Sequence, residues 1–372
     1  MEFLFEFGLF AGKFIFGAVC IVIALVCVLM AVKAAKGEMD EKKEKLKFTD
    51  LMVEAEERKD SIEDAVLRFD ANKDEKTLKK ELKLKSKNRN KSEEAHKKEC
   101  AEKIKKAKDE GRFCPKRIFV LDFEGDTHAS ASHDLRLKVN AILDIATAED
   151  EVIVNLDSPG GVVNGYGFCS SILERIRERG IHLTVCVDNV AASGGYLMSC
   201  VADKIVAAPF AYVGSIGVVA NIPNFNKVLK KHDVDYEQVT AGKYKRTLTM
   251  FGENTEEGRA KFKAEMEAIH FRFKEIVSKY RPKLNIEEIA TGEFWLGKDA
   301  LERGLVDELN TFDAYLQNSL EFTQDCAIKI SIERKEKKSL KDLLGKFFSA
   351  KTWTRAVKEE VALSVNNATP YR

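Results

Sequence analysis

Three short segments of the chain carry residue types that suit acyl-transfer chemistry. Ser193 follows two alanines and precedes two glycines, so its hydroxyl has no bulky neighbours in sequence. Gly161 ends the stretch 157–161 (Asp-Ser-Pro-Gly-Gly), and glycine amides that point into a cleft stabilise an oxyanion. The third segment, 241–247, contains two lysines. The sequence therefore offers Ser193 either as a nucleophile or as an ordinary helix N-cap.

A serine nucleophile needs a general base, and the histidines are poorly placed to supply one. His232 lies at a charged helix end and His270 in an amphipathic helix pattern, rather than in a glycine-rich turn. A lysine can serve when it is uncharged, which requires burial to lower its pKa from about 10.4 towards about 7–8. Lys243 and Lys245 both qualify by position. Their spacing does not separate them, because residues two apart in extended backbone face the same side.

The elements that must position these segments predict an α/β domain. Arg117–Phe123, Val152–Leu156 and Leu183–Val187 are short apolar runs typical of buried strands. Helical patterns at Leu135–Ala146 and Val163–Arg179 separate them. Strands that alternate with helices at this spacing predict parallel β-α units, with active residues at the strand ends.

Composition narrows the class of protein. The 372 residues include 61 Lys and Arg against 60 Asp and Glu, for a net charge of +1, which argues against a nucleic-acid binder. A hydrophobic fraction of 45% excludes global disorder. The eight cysteines are scattered singly and predict neither a disulfide scaffold nor a zinc site. No cofactor is expected.

The first apolar run predicts a membrane anchor. Phe14–Val32 has no charged residue over 19 positions, enough for about 28 Å of helix. Ala34 and Ala35 faintly resemble a signal-peptidase site, but the length of the run favours an uncleaved anchor. Lysines follow the run and acidic residues precede it, so the positive-inside rule favours a cytoplasmic C-terminal side.

A second uncharged run, Ile205–Ile222, is not expected to span a membrane. Pro209, Gly214 and Gly217 divide it into short pieces rich in Val, Ile and Ala. Such pieces are typical of buried strands and turns. We therefore assign this run to the soluble core.

Four regions are predicted along the chain. Residues 1–36 form the anchor, 37–114 a charged and partly helical linker, 115–325 the main domain, and 326–372 a tail. The tail has the pattern of an amphipathic basic helix. We expect this helix to pack on a neighbouring subunit, to lie on the membrane or to fold back on its own chain. Its apolar positions are Leu340, Leu343, Leu344, Phe347 and Phe348.

Four motifs occur in an order that resembles a known family. They are 157–161 (Asp-Ser-Pro-Gly-Gly), 191–196 (Ala-Ala-Ser-Gly-Gly-Tyr), 213–218 (Val-Gly-Ser-Ile-Gly-Val) and 242–246 (Gly-Lys-Tyr-Lys-Arg). The combination resembles the signal peptide peptidase A family of membrane Ser–Lys serine peptidases, and within it the SohB-type inner-membrane peptidases of bacteria. The resemblance is strong from Arg117 to Glu308.

Residue by residue, the resemblance implies a Ser–Lys dyad. Ser193 stands where the family has its nucleophile, and Lys245 where it has the general base. Ser215 matches a serine whose hydroxyl holds that lysine in place. Gly161 and Gly194 match the backbone amides of the oxyanion hole. The implied fold is the ClpP/crotonase type, built of repeated β-β-α units.

The resemblance also implies substrates, partners and location. Substrates are expected to be hydrophobic peptides or membrane-protein fragments, such as signal-peptide remnants, and the chain is expected to form a tetramer or octamer ring. Location is expected at the bacterial inner membrane, where family analogy favours a periplasmic catalytic domain and the charge pattern a cytoplasmic one. Apolar residues beside the dyad line subsites or belong to the core: Val162, Val163, Val213, Ile216 and Val218.

Three other interpretations remain open at this stage. A catalytically silent ring scaffold would bind membrane partners without hydrolysis. A crotonase-type acyl-CoA enzyme would use paired amides but needs a carboxylate near the glycine-rich loops. A ClpP-like Ser–His–Asp peptidase predicts that a histidine, most plausibly His232, is essential while Lys245 is dispensable.

Overall fold

The computed structural model describes residues 45–69 and 101–333 of the chain. Residues Leu46–Ile332 form a compact unit, which holds all of the elements discussed below apart from Lys45 and Glu333 at its edges. The strands are β1 Lys45–Asp50, β2 Arg117–Glu124, β3 Glu151–Asp157, β4 His182–Val187, β5 Val190–Ala192, β6 Lys204–Ala207, β7 Tyr212–Gly214, β8 Phe294–Leu296, β9 Glu308–Leu309 and β10 Cys326–Glu333.

Helices connect most of these strands, and residues 101–109 are helical as well. The labelled helices are α1 Leu51–Phe69, α2 Ser132–Leu143, α3 Val163–Glu178, α4 Gly194–Cys200, α5 Asn226–Lys231, α6 Glu256–Tyr280, α7 Ile286–Ile289, α8 Gly297–Glu302 and α9 Phe312–Leu320. The predicted alternation of strands and helices is thereby confirmed for the centre of the domain. Element ends differ from the sequence-based bounds by at most three residues.

The described strands form two sheets. A seven-stranded sheet has the order β1-β10-β2-β3-β4-β6-β9, and it is parallel from β10 to β9. The Val- and Ile-rich runs of β2, β3 and β4 are almost fully buried because helices or loops cover both faces of the sheet. One face packs against α2, α3 and α4, and the other against Phe312 and Leu316 of α9. The α/β class is confirmed.

The smaller sheet carries the order β5-β7-β8. β5 and β7 are parallel, with Ala192 opposite Gly214, and β8 is antiparallel to β7. A bridge between Ser158 and Ala191 joins the loop after β3 to β5. The segment after β3 therefore lies directly beside the start of the Ser193 turn.

The predicted domain bounds need correction at both ends. β1 and the start of α1 lie within the predicted linker, yet β1 pairs with β10, and Leu51 and Met52 pack on the core. β10 lies in the predicted tail, yet it pairs with β2 inside the main sheet. These segments were missed because their strands alternate charged and apolar residues, which resembles a solvated linker.

The second uncharged run behaves as predicted. Residues 205–222 contain the end of β6, all of β7 and the turns around Pro209 and Gly214, and Ile205, Val206 and Val213 are fully buried. Within 45–69 and 101–333, no helix combines the length and apolar character needed to cross a membrane. The predicted anchor Phe14–Val32 and the predicted tail helix 340–348 lie outside the described residues.

Candidate active site

Ser193 occupies a strained turn between β5 and α4. Its backbone angles are φ 50° and ψ −117°, a conformation that non-glycine residues rarely adopt and that costs about 1–3 kcal/mol. The turn is held by the Ser193 amide, which donates to the Gly214 carbonyl at 2.8 Å. The Ser193 side chain makes no capping hydrogen bond to α4. Ser193 therefore occupies the N-cap position of α4, but its hydroxyl is not used in a capping hydrogen bond.

The loop after β3 touches this turn directly. Gly160 has φ 84°, and a Cβ placed on it would lie 2.6 Å from the Gly194 nitrogen and 2.9 Å from the Ser193 Cβ. A side chain at residue 160 would thus occupy the space beside the nucleophile. Glycine is required here by both the backbone angle and the close approach.

Two backbone amides near Ser193 are free to bind an anion. Gly194 is the first residue of α4, and its amide has no intrahelical acceptor. Gly161 lies in the turn that contacts Gly194, between two amides that are both hydrogen-bonded. Within the described residues, the structure records no acceptor for either amide. An arrangement of free amides beside a serine hydroxyl suits the stabilisation of a tetrahedral oxyanion.

Ser215 leaves β7 beside Ser193. Because Ala192 and Gly214 are paired in the parallel register of β5 and β7, the two serines follow matched positions on neighbouring strands. Ser215 also has a positive φ, 51°, and its amide donates to the Glu293 carbonyl at 2.6 Å. The structure thus brings Ser193, Ser215, Gly161 and Gly194 into one region.

The two candidate lysines have different environments. The Lys243 amine pairs with Glu257 at 2.7 Å, and this hydrogen bond raises the Lys243 pKa above its ordinary value. Lys245 is exposed, and no hydrogen bond or ion pair is recorded for its amine among the described residues. The Lys243 amine is therefore engaged with a carboxylate, whereas the Lys245 amine has no recorded partner among the described residues.

Lys245 is not brought to Ser193 within this single chain. It lines a cleft of about 770 Å³ with Tyr236 and Phe251, and neither Ser193 nor Ser215 contributes to that cleft. The dry surroundings expected for an uncharged lysine are therefore absent around Lys245 in the isolated chain. Its assignment as the general base stays a prediction.

Sequence comparison matches two profiles of one family to almost the whole chain. The profile described as "Peptidase family S49 N-terminal" covers residues 2–173, and that described as "Peptidase family S49" covers residues 175–324. A "Putative protease SohB" from Buchnera aphidicola subsp. Baizongia pistaciae is 42% identical over 63% of this chain and 69% of its own length. The chain belongs to peptidase family S49.

This S49 chain is also similar to other curated proteins and to solved structures. A "Probable protease SohB" from Haemophilus influenzae is 52% identical over 63% of the chain and 66% of its own length. The matched region spans 60–69% of the length of the five SohB relatives. Among solved structures, the "ClpP protease catalytic domain from Plasmodium falciparum" aligns with a TM-score of 0.33 and 12% identity over 52% of this chain and 85% of that one.

Neither His232 nor His270 forms a Ser–His–Asp triad with Ser193 among the described residues of the S49 chain. His232 is exposed at the end of α5, and no hydrogen bond to Ser193 is recorded for it in the described residues. His270 is half-buried, and its Nε2 lies 3.2 Å from the carbonyl oxygen of Ile216. His270 thereby holds the segment just after Ser215, a contact that its sequence position did not indicate.

The apolar residues proposed as subsite or core divide between the two. Val213 and Ile216 are fully buried and belong to the core. Val162 and Val163 have exposed fractions of 38% and 51% beside the glycine turn, so they are available to a substrate, and Val218 is half-buried. Within 45–69 and 101–333, no group of three or more His, Cys, Asp or Glu side chains is placed to hold a metal ion.

Two residues near the site were missed by sequence reasoning. Ser158, the serine of the 157–161 loop, is fully buried, and its Oγ lies 2.7 Å from the Tyr166 Oη. Tyr166 packs its ring against Gly194. Neither is distinctive in sequence, since a serine beside a proline is typical of a turn and a tyrosine in α3 is typical of the core.

Proposed function

We propose that this chain is a serine endopeptidase in which Ser193 is the nucleophile. The observation that carries the proposal is the strained Ser193 turn. Its hydroxyl makes no capping hydrogen bond to α4, and the free amides of Gly161 and Gly194 lie beside the turn. A strained serine turn that lies beside backbone amides without recorded acceptors supports a role in acyl transfer, because strain of this kind is common at active sites. Membership of peptidase family S49 supports the same reaction.

In the proposed mechanism, an uncharged Lys245 accepts the Ser193 proton as the hydroxyl oxygen attacks a peptide carbonyl. The amides of Gly161 and Gly194 bind the resulting oxyanion. Lys245 then protonates the leaving amine, and afterwards activates the water that releases the acyl group. Ser215 holds the lysine by a hydrogen bond. The rate should rise with pH, because the amine must lose its own proton before it can accept one.

Substrates of this proposed enzyme are hydrophobic peptides or fragments of membrane proteins, with signal-peptide remnants the expected class. Val162 and Val163 are exposed directly after the 157–161 loop and provide apolar contacts for such peptides. The predicted anchor Phe14–Val32 would hold the enzyme at the bacterial inner membrane, close to these substrates.

The dyad is proposed to form between subunits. Lys245 is exposed, and the segment around it carries uncovered apolar side chains, which is unusual for a monomer surface. A second copy of the chain that covers this segment would bury Lys245 and place it at a neighbouring Ser193. A closed ring, as a tetramer or octamer, satisfies every site in this way. The apolar side chains are Val219, Val228, Val234, Tyr236, Val239, Tyr244, Met250 and Phe251.

Labelling with a fluorophosphonate probe tests the proposal. Wild-type protein should be labelled, and Ser193→Ala should not. Lys245→Ala should reduce the labelling rate by at least about 100-fold, because the hydroxyl loses its base. Lys243→Ala is the matched control: it removes a neighbouring positive charge and the pair with Glu257, and should keep near wild-type labelling.

Two outcomes contradict the proposal. Labelling that survives in Ser193→Ala rules out this nucleophile. Equal losses in Lys243→Ala and Lys245→Ala rule out a specific base at residue 245. A peptide hydrolysis assay on an apolar fluorogenic substrate should give the same order of variants.

A second candidate function is a catalytically silent scaffold that binds membrane partners as a ring. The position of Lys245 in the single chain favours it, since Lys245 lines a cleft to which Ser193 does not contribute, and a general base must lie within hydrogen-bond reach of the hydroxyl. This alternative predicts that the assembled wild-type oligomer neither reacts with the probe nor hydrolyses peptides.

A further inference from the structure

The buried serine of the 157–161 loop makes an unusual number of contacts. The Ser158 amide donates to the Val190 carbonyl at 2.8 Å, and the Ser158 carbonyl accepts from the Ala192 amide at 3.0 Å. Its Oγ accepts from the Gly160 amide at 3.2 Å. The two backbone bonds tie the 157–161 loop to β5, the strand that leads into Ser193, and the third bond lies within the loop. Ser158 thus links the two halves of the candidate site.

Tyr166 extends this link to the other side of the loop. The Tyr166 hydroxyl donates to the Asp126 carbonyl at 2.7 Å, so its single proton is used there. The Ser158 Oγ, 2.7 Å away, must then be the donor in the bond between the two hydroxyls. Both side chains are buried, and burial raises the pKa of Tyr166 despite the hydrogen bond from Ser158. The pair forms one continuous chain of hydrogen bonds.

This chain of hydrogen bonds holds the Gly161 amide from both sides. On one side, the Gly160 amide is bonded to the Ser158 Oγ. On the other side, the Val162 amide donates at 2.9 Å to the carbonyl of Thr127, the residue next to the Asp126 held by Tyr166. The direction of the Gly161 N–H is thereby set by its two neighbours.

The Tyr166 ring also contacts the second oxyanion donor. A Cβ placed on Gly194 would lie 2.3 Å from the Cγ of Tyr166, so the ring packs against the Gly194 backbone. A Cβ on Gly195 would lie 2.4 Å from the Ser158 carbonyl oxygen. Both glycines of α4 therefore sit against the same two residues. One pair of side chains contacts both loops that supply the amides.

We infer that Ser158 and Tyr166 are positioning residues that set the spacing between the Gly161 and Gly194 amides for oxyanion binding. The inference rests on the proposed serine peptidase function. Neither residue touches the substrate; each acts through the backbone of the two loops. A small displacement of an oxyanion donor is costly, because a misplacement of about 1 Å can reduce a rate by about 100-fold.

Tyr166→Phe is the decisive variant, since it removes the hydroxyl and keeps the ring against Gly194. The value of kcat for an apolar fluorogenic peptide should fall by at least about tenfold, with KM within about twofold, because the donors act on the transition state. Ser158→Ala should behave in the same way. The double variant should lose no more than about the larger single loss, because both changes break one chain of hydrogen bonds.

Matched controls separate positioning from stability. Tyr196→Phe removes another buried tyrosine hydroxyl, which donates to the Leu305 carbonyl, and Ser170→Ala removes a buried serine hydroxyl bonded to the Leu197 carbonyl. Both should lower the melting temperature to a similar degree while kcat stays within about twofold of wild type. If a variant unfolds at the assay temperature, it and its control are both assayed at a lower temperature at which both are folded.

The outcomes distinguish the inference from the function that it depends on. If wild-type protein is inactive, or Ser193→Ala is active, the proposed peptidase itself fails. If wild-type protein is active through Ser193, and Tyr166→Phe and Ser158→Ala lose no more kcat than Tyr196→Phe and Ser170→Ala, the positioning role is overturned. Multiplicative losses in the double variant also overturn it.

Discussion

At the scale of single residues, the candidate site depends on backbone geometry more than on side-chain contacts. Ser193 and Ser215 both have positive φ angles, and Gly160 fits only because it has no side chain. Strain of this kind persists where the surrounding structure enforces it, and it is common at active sites. The hydrogen bonds of Ser193 to Gly214 and of Ser215 to Glu293 supply that enforcement.

Gly160→Ala tests how closely the two loops must approach. The new Cβ would lie 2.6 Å from the Gly194 nitrogen, so either the loop or the Ser193 turn must move. We expect loss of peptidase activity, and a decrease in the free energy of unfolding of more than about 2 kcal/mol from the combined backbone strain and steric clash. Urea unfolding and the peptide assay measure the two effects.

Gly111→Ala is the matched control for that variant. Gly111 has a similar φ, 77°, but a Cβ there meets no atom within 4 Å. It should cost only the backbone strain, about 1–2 kcal/mol, and leave activity unchanged. Equal effects of the two substitutions on activity would mean that close approach at Gly160 does not matter.

At the scale of elements, the ends of the parallel strands determine where chemistry and stability are located. The carboxyl ends of β3 and β5 carry the candidate site, whereas the amino ends carry structural ion pairs. Asp150, just before β3, is fully buried and bonded to the Arg117 guanidinium at 2.6 Å and to the Thr147 amide at 2.8 Å. These bonds join the start of β2 to the start of β3.

Asp150→Asn should change the acid stability of the protein. Burial alone would raise the Asp150 pKa, but hydrogen bonds from Arg117 and Thr147 outweigh it and lower the pKa below its ordinary value. A carboxylate with a lowered folded-state pKa stabilises the fold above its unfolded pKa, about 3.9, and loses that contribution as pH falls through the folded pKa. The free energy of unfolding of the variant should be about 2 kcal/mol lower than that of wild type at pH 7. Below about pH 4 it should decrease less than that of wild type.

Urea unfolding of the wild type and the variant from pH 2 to pH 7 measures this difference. Glu149→Gln is the control, since Glu149 forms only an exposed pair with Lys116 at 3.9 Å and should contribute little. An unfolding free energy whose pH dependence is the same in Asp150→Asn and wild type would show that the Asp150 pairing is not a source of acid sensitivity.

At the scale of the whole molecule, Lys245 lines a cleft to which Ser193 of the same chain does not contribute, and for this reason the dyad is proposed to form between subunits. If the dyad forms between subunits, a mixture of Ser193→Ala and Lys245→Ala proteins should recover activity. Random assembly gives about one quarter of interfaces an intact Ser193 facing an intact Lys245, so about a quarter of wild-type activity is expected. Co-refolding or subunit exchange followed by the peptide assay measures it.

Each inactive protein alone, assayed at the same total concentration, is the control for that mixture. A dyad between subunits also predicts that the activity of the wild-type protein decreases when it is diluted below the concentration at which the oligomer dissociates. A mixture that stays inactive while light scattering shows mixed oligomers would mean that both members of the dyad come from one chain.

The extent to which the sequence predicted the structure follows from the range of the interactions involved. β2, β3 and β4 were predicted to within one residue at each end because buried parallel strands have continuous apolar runs in sequence. The Ser193 and Gly161 segments were recognisable because their glycines are required locally. Residue type and spacing carry such local requirements directly.

Other features depend on contacts that are distant in sequence. The pairing of β1 with β10 joins the first and last strands of the domain and is not evident from either strand alone. The roles inferred for Ser158 and Tyr166 depend on the carbonyl of Val190 in β5 and on that of Asp126 in the loop after β2. The proposed role of Lys245 depends on a contact between subunits, which the sequence of one chain does not reveal.

The location of the candidate site across two sheets has a thermodynamic consequence. The Gly161 amide comes from the loop after β3 in the large sheet, and the Ser193 turn continues from β5 in the small one. A covalent inhibitor whose oxygen accepts from Gly161 and Gly194 would therefore brace one sheet against the other. Binding of such an inhibitor should therefore raise the free energy of unfolding of the protein, because the inhibitor binds only the folded state.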